Sequence, residues 1–348
     1  MRPLVSHGRG VGLARAQSGV SLVELMVALT MGLFVVGGAA SIYLANRSTF
    51  ATVENVARVE ENARFAAELL ARDIREAGNS PCGGAMSTSN LVSTSTSPNW
   101  AAWDNGLLGN PMGTQDTLAV SVASPTDKTA RVTSPATDSL LIWSATSGST
   151  PVRVTSHTAG NTGTFITATA PEYKVGDVLV ACDGRLLFTF KVVSVSSTPP
   201  YTLTYTGGAA LALYFSRVTT SFTTGGFISP LSTHLWYVGG SSELLSANAL
   251  RRITLKEDGT FDSNDNAEIV TGVSNFQVKY LVGDTTGTPD PAAAYQTASS
   301  VLNWANVIAV QPTLTLTSLD KINPAGSAPS VFSYQLPLTI GIRNRLQP

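Results

Sequence analysis

The chain has 348 residues, 43% of them hydrophobic and only 13% charged, and its 22 basic and 23 acidic side chains leave a formal net charge of −1. Disorder is disfavoured, since it combines low hydrophobicity with high net charge, and no polycationic surface is present, so nucleic-acid binding is not indicated. Three histidines and two cysteines cannot supply zinc clusters, c-type haem motifs or iron–sulfur ligand sets, and no cofactor is expected.

Uneven charge divides the sequence. Residues 1–19 carry Arg2, Arg9 and Arg15 without an acid, and residues 20–45 are apolar or small except for Glu24. From Leu25 to Ala45 no charge interrupts the run, and about 20 apolar residues at a rise of 1.5 Å cross a bilayer core of roughly 30 Å. This stretch is too long for the core of an ordinary secretory signal. Residues 46–77 contain neither Pro nor Gly. Their less polar positions, Val53, Val56, Val59, Ala63, Ala67, Leu70, Ile74 and Ala77, advance by three or four, the spacing of one helical face. Glu54/Arg58, Glu60/Arg64, Glu68/Arg72 and Arg72/Glu76 lie four apart and can support a solvated helix. Gly78, Asn79 and Pro81 then stop it. One helix over residues 20–77 would be about 87 Å long.

Beyond Pro81 the chain turns to Ser, Thr, Gly and Pro between short β-type runs. Strands are expected at Thr117–Ala123, Ser139–Ala145, Asp177–Ala181, Leu186–Val195, Leu211–Arg217, His234–Val238, Leu250–Leu255, Phe276–Val282, Val307–Val310 and Phe332–Ile342. Met86–Pro98 and Ser196–Pro200 read as loops. The fold class is therefore α+β: a long N-terminal helix followed by a predominantly antiparallel β domain. Pro312 cannot donate to a ladder, so its strand should be an edge or contain a bulge.

At the junction of basic leader and apolar helix stands Gly19-Val20-Ser21-Leu22-Val23-Glu24-Leu25. This segment resembles the class III signal of type IV pilins and type II secretion pseudopilins. The resemblance implies cleavage between Gly19 and Val20 by an inner-membrane prepilin peptidase, followed by N-methylation of Val20. Val20 stands where an aromatic residue or methionine is frequent. Further landmarks resemble PilW-type minor pilins: Arg64-Phe65-Ala66; Asp73-Ile74-Arg75-Glu76-Ala77-Gly78 with Cys82; Gly176-Asp177-Val178-Leu179-Val180; and Leu250-Arg251-Arg252. They continue with Glu268 to Val273, Phe276 to Tyr280, Trp304 before Val307, and Ile342-Arg343-Asn344-Arg345-Leu346.

The family resemblance implies an assembly role rather than an enzymatic one, in a priming or tip complex with other minor pilins, supporting pilus biogenesis and twitching motility. It implies four segments: leader 1–19, transmembrane half-helix 20–45, amphipathic half-helix 46–78 and a periplasmic β-rich domain 79–348. The partners implied are prepilin peptidase, other minor pilins, the major pilin, the pilus assembly machinery and the inner membrane, where the protein resides before joining the pilus. Glu24, costly as an ion in lipid, is expected to meet the Val20 amino terminus of a neighbouring subunit; the alternative is that it sits at the cytoplasmic interface. A type II secretion pseudopilin shares the same anchor, and a membrane-anchored adhesin remains a reading from another class.

This topology places Cys82 and Cys182 outside the cytoplasm, where disulfides persist; the alternative is two buried thiols. Asp258–Glu268 is rich in oxygen ligands but lacks the glycine and distal glutamate of an EF-hand loop, so a solvated turn is the simpler reading. His157 and His234 lack Cys or Asp partners at motif spacing and read as surface or core residues. Trp143, Trp236 and Trp304 read as packing residues. There is no G-x-S-x-G elbow or P-loop.

Overall fold

The computed structural model describes residues 19–83, 86–92, 103, 106–111, 137–145, 150–206, 226–242, 244, 247–255, 261–283, 294–321, 330–343 and 345. The leader and the strands expected at Thr117–Ala123 and Leu211–Arg217 lie outside them. Helix α1 runs without a break from Leu22 to Arg75. Ser21, in extended backbone, caps its start, its Oγ accepting from the Glu24 amide at 3.1 Å. Gly78 ends the helical region at φ +69°, the left-handed conformation expected of a terminating glycine. The chain is then sewn into a sheet, the Gly78 N–H donating to Trp143 O and the Ala145 N–H to Asn79 O, both at 2.8 Å. A Cβ on Gly106 would lie 2.5 Å from Gly78 Cα, so this crossing requires a residue without a side chain at position 106.

Seventeen strands follow among the described residues: β1 Ser87–Asn90, β2 Leu107–Asn110, β3 Ser139–Ser144, β4 Val152–Thr158, β5 Thr162–Thr167, β6 Val178–Cys182, β7 Leu186–Val195, β8 Thr202–Thr206 and β9 Gly226–Pro230. After them come β10 Ser232–Gly240, β11 Asn248–Leu255, β12 Phe261–Thr271, β13 Val273–Val282, β14 Gln296–Thr297, β15 Val307–Thr317, β16 Ser333–Pro337 and β17 Ile340–Gly341. The first sheet has the order β1-β7-β6-β9-β4-β5-β8, and because β8 also pairs with β7 it closes into a six-stranded barrel with β1 added alongside. The β1–β7 pair is parallel; every other pair is antiparallel. The second sheet is β12-β11-β10-β3-β2, and the third is β14-β13-β15-β16 with β17 also on β15. Since Ser144 of β3 pairs with Ser232 of β10, the barrel strands β4 to β9 are an insertion between two adjacent strands of the second sheet.

Alternation along the strands builds three layers. Leu140 and Ile142 of β3, with Trp236 and Val238 of β10, face a core shared with α1 and the third sheet. Leu141, Trp143, Leu235 and Tyr237 point the other way, onto Val178, Val180 and Leu187 of the barrel. Leu179, Ala181, Phe188 and Phe190, on the opposite side of those barrel strands, fill the barrel interior with Phe165 and Tyr205.

Two sequence expectations are corrected. Ser87–Asn90 is a strand rather than loop, because β7 offers it a partner. Residues 261–271 are strand β12, paired with β11, rather than a solvated turn. The strand of Pro312, β15, is no edge, having neighbours on both sides, but it is irregular as expected, its register against β13 shifting between Leu281 and Val282; a further break lies in the adjoining chain, between β16 and β17, where the Leu338 N–H donates to Pro312 O at 2.9 Å. The missing Pro312 donor thus faces the interruption in the ladder.

Candidate functional site

The N-terminal half of α1 stands clear of the domain. Every residue from Gly19 to Arg47 is exposed, including Leu22, Leu25, Leu29, Phe34, Val35 and Ile42, and this stretch is long and apolar enough to cross a membrane. Glu24 occupies the third helical position, where a carboxylate complements the helix dipole. Ser21-Leu22-Val23-Glu24 is the S-x-x-E pattern of a capping box, a signal present in the sequence that the family motif overshadowed. Gly19 and Val20 precede the helix and are exposed.

Farther along, the helix docks. Val59, Ala63, Leu70, Ile74 and Ala77 are buried as their spacing required, together with Ala66 rather than Ala67, whereas Val53 remains 61% exposed because the domain does not reach that far. Of the four expected ion pairs, Glu54–Arg58 forms at 2.6 Å; Arg72 turns instead to Asp73, its Nε 3.7 Å from Oδ1.

Asp73 fastens the helix to the second sheet. The Trp236 Nε1–H donates to its Oδ2 at 3.0 Å, and Arg252 Nη1 lies 3.6 Å from the same oxygen. Trp236 and Arg252 are opposite each other on β10 and β11, with the guanidinium carbon 5.9 Å from the indole centroid. Burial pushes the Asp73 carboxyl above its ordinary range, against the opposing influence of Arg252, Trp236 and Arg72. The neighbouring His234 contacts Ser232 Oγ at 3.1 Å and Thr254 Oγ1 at 3.2 Å. Burial, assisted by Arg252 and Arg72, lowers its pKa to about 3. Both histidines are core residues: His157 lies in the barrel, stacked on Phe165 and 2.8 Å from Tyr205 Oη, where burial lowers its pKa to about 4.

The sequence landmarks prove to be mutual contacts. Cys82 and Cys182 form a disulfide joining the segment after α1 to barrel strand β6. Arg345 donates from Nη1 to Trp304 O at 2.5 Å and Val307 O at 2.8 Å, and the Arg343 N–H reaches Arg75 O at 3.4 Å. Glu268 of the oxygen-rich segment accepts from Ser241 Oγ and the Ser242 amide, each at 2.7 Å, and lies 3.4 Å from Arg251 Nη2. Burial raises its pKa, but the hydrogen bonds from Ser242 and Ser241 and the charge of Arg251 outweigh this and hold it low. Among the described residues no group of three or more His, Cys, Asp or Glu is placed to hold a metal ion. Trp143 and Trp236 are buried and Trp304 is partly buried, edge-on to Tyr280.

Two family models match the chain: type IV pilus-assembly protein W over residues 235–335, and the prokaryotic N-terminal methylation motif over residues 14–40. No curated protein and no solved structure matches it. A methylation motif at the start of one long helix, followed by an antiparallel β domain, supports a type IV pilus-related pilin. Over residues 235–335 the chain is similar to PilW-type minor pilins, and that match supports placing it among them. Pilin domains are structural rather than enzymatic. The long apolar helix, the one such helix among the described residues, and its motif fit a protein anchored in the inner membrane, and the family matches imply contact with other pilins and the assembly machinery.

Proposed function

We propose that the chain is cut between Gly19 and Val20 by prepilin peptidase, methylated at Val20 and passed from the inner membrane into a priming or tip complex with other minor pilins, supporting pilus biogenesis and twitching motility. In this reading residues 1–19 are leader, 20–45 membrane anchor, 46–78 amphipathic helix and 79–348 a periplasmic domain. The observation that carries it is the helix divided in two: one half packed on its own domain, the other exposing every side chain from Leu22 to Ala45. An apolar surface of that length is incompatible with water and compatible with lipid or a bundle of similar helices. Transfer from one to the other exchanges apolar surroundings without exposing the segment. Glu24 then acts as the polar determinant, its carboxylate meeting the Val20 ammonium of an adjacent subunit, because a charge among apolar helices requires a counter-charge.

Mass spectrometry of the membrane-extracted protein tests the processing step. The expected species begins at methylated Val20, and Gly19→Val leaves the leader attached and abolishes recovery in sheared pili. A mature chain beginning beyond Ala45 would overturn the assignment.

A further inference from the structure

The bond proposed for cleavage, between Gly19 and Val20, lies just outside α1, and the start of α1 has a local cause. Ser21 sits in extended backbone at φ −72° and ψ 148°. Its Oγ accepts from the Glu24 N–H at 3.1 Å, and its carbonyl accepts from the Leu25 N–H at 3.1 Å. The second of these bonds opens the helical ladder; the first satisfies one of the amides that a helix start leaves without a carbonyl. Gly19 and Val20 are therefore left out of the helix, and both are exposed. In the sequence, Ser18 is the nearest upstream side chain able to cap. A helix opened at Ser18 would take Gly19 and Val20 into its first turn, with the Gly19 carbonyl accepting from the Val23 N–H. Gly19 opposes such an extension only weakly, as a poor helix former.

We infer that Ser21 is a positioning residue for leader removal: its cap holds the Gly19–Val20 bond outside the helix, so that the Gly19 carbonyl is free for attack. Hydrolysis adds water across this bond, the hydroxyl going to the Gly19 carbonyl carbon and a proton to the Val20 nitrogen. Negative charge develops on the Gly19 oxygen as the carbon is attacked, and that oxygen needs donors supplied by the peptidase. Inside a helical turn the Val23 N–H occupies the same oxygen, and the turn has to open before the donors reach it. The inference rests on the processing reading above and adds the residue that presents the bond. It also separates two neighbours in the motif, Ser21 acting before the cut through its cap and Glu24 after it through its charge.

The test uses the full-length precursor in detergent micelles, incubated with membranes containing prepilin peptidase, and follows the rate of leader loss. Ser21→Ala should be cut about fivefold more slowly, the equivalent of ~1 kcal/mol for a lost cap. Ser21→Asn, which caps as well without a hydroxyl, and Ser21→Thr should be cut at close to the wild-type rate. Hydrogen exchange of the uncut precursor, read by mass spectrometry, supplies a measurement independent of the peptidase. In Ser21→Ala the Leu22 and Val23 amides gain the Ser18 and Gly19 carbonyls as acceptors, and they should exchange more slowly than in the wild type. Wild-type cleavage of Ser21→Ala, or unchanged exchange at these amides, overturns the inference and leaves the processing reading intact. Ser21→Asn cut as slowly as Ser21→Ala also overturns it, because the peptidase then reads the hydroxyl itself. A wild-type precursor cut at another bond, or not cut, overturns both.

Discussion

Trp236 Nε1 donates to Asp73 Oδ2 across 3.0 Å at the boundary between helix and sheet, joining positions 163 residues apart. Asp73 is 3% exposed, and its raised pKa means that the folded state holds a proton more tightly than the unfolded chain. The stability gained by protonation is fully present below the unfolded pKa and is lost as pH rises through the folded value. Asp73→Asn keeps an acceptor for Trp236 and removes the burial of a charge, so its melting temperature should depend less on acid pH than the wild type's. Asp73→Leu strands Trp236 and Arg252 and should destabilise by about 3–5 kcal/mol. Urea unfolding of the two variants between pH 3 and pH 7 checks both statements, and equal losses would refute this account of the contact.

The histidines move stability in the opposite direction. Folded pKa values of about 4 for His157 and about 3 for His234 lie below the ordinary 6.5, so each contributes stability that is present above pH 6.5 and lost as pH falls toward its folded value. His157→Gln keeps a partner for the Tyr205 hydroxyl and cannot be protonated. Its unfolding free energy should therefore fall less steeply than the wild type's between about pH 6.5 and pH 4. Parallel slopes in denaturant titrations across that range would mean that His157 is solvated in the folded barrel.

The Cys82–Cys182 bond spans a sequence separation of 100 residues and ties the barrel to the chain emerging from α1. In the chain-entropy account such a crosslink contributes roughly 4–5 kcal/mol. Cys82→Ser with Cys182→Ser should lower stability by that order. Hydrogen exchange should rise first in β1 and β6, the strands beside the bond. Uniform exchange throughout the domain would argue that the barrel and second sheet are held together by their apolar contact alone.

Gly272 is the single residue between β12 and β13, where the chain leaves the second sheet for the third. Its φ is +82°, and a Cβ there would lie 2.6 Å from Thr317 O, the carbonyl of the residue whose N–H donates to Gly272 O at 2.7 Å. Gly272→Ala combines backbone strain of about 1–3 kcal/mol with that clash and should reduce soluble yield and melting temperature. An unaltered melting temperature would show that this switch tolerates a side chain.

The long helix was legible because its period, its charge break near Ala45 and its stop at Gly78 agree with one another. Leu186–Val195 was legible to the residue because ten β-prone positions are bounded by turn residues. The barrel was not. Val152–Thr158, Thr162–Thr167 and Thr202–Thr206 alternate threonine or serine with a few inward residues such as Val154, Phe165 and Tyr205. Their strand character therefore comes from closing a sheet around an aromatic interior rather than from local apolar content. For the site, the Cys82–Cys182 bond was legible because the chain has two cysteines and the expected topology puts both where disulfides persist, but nothing local links Asp73 to Arg252, since that contact exists only once the helix lies on the sheet.

Glu24 offers the sharpest separation of anchoring from assembly. Its amide is bonded to Ser21 Oγ, and glutamine satisfies the same S-x-x-E/Q capping pattern, so Glu24→Gln leaves the start of the helix intact. Losing a charge also makes the segment no less apolar, and insertion should survive. What disappears is the carboxylate available to a neighbouring Val20 ammonium. Membrane level and leader removal should therefore match the wild type, while recovery in sheared pili should fall by at least about tenfold, corresponding to ~1.4 kcal/mol or more for a partly desolvated charge pair. Glu24→Asp, which retains the charge on a shorter arm, should recover part of the incorporation. If Glu24→Gln enters pili normally from a normal membrane pool, the carboxylate serves only the cytoplasmic interface or the helix dipole; if the variant is missing from the membrane, it serves insertion rather than assembly.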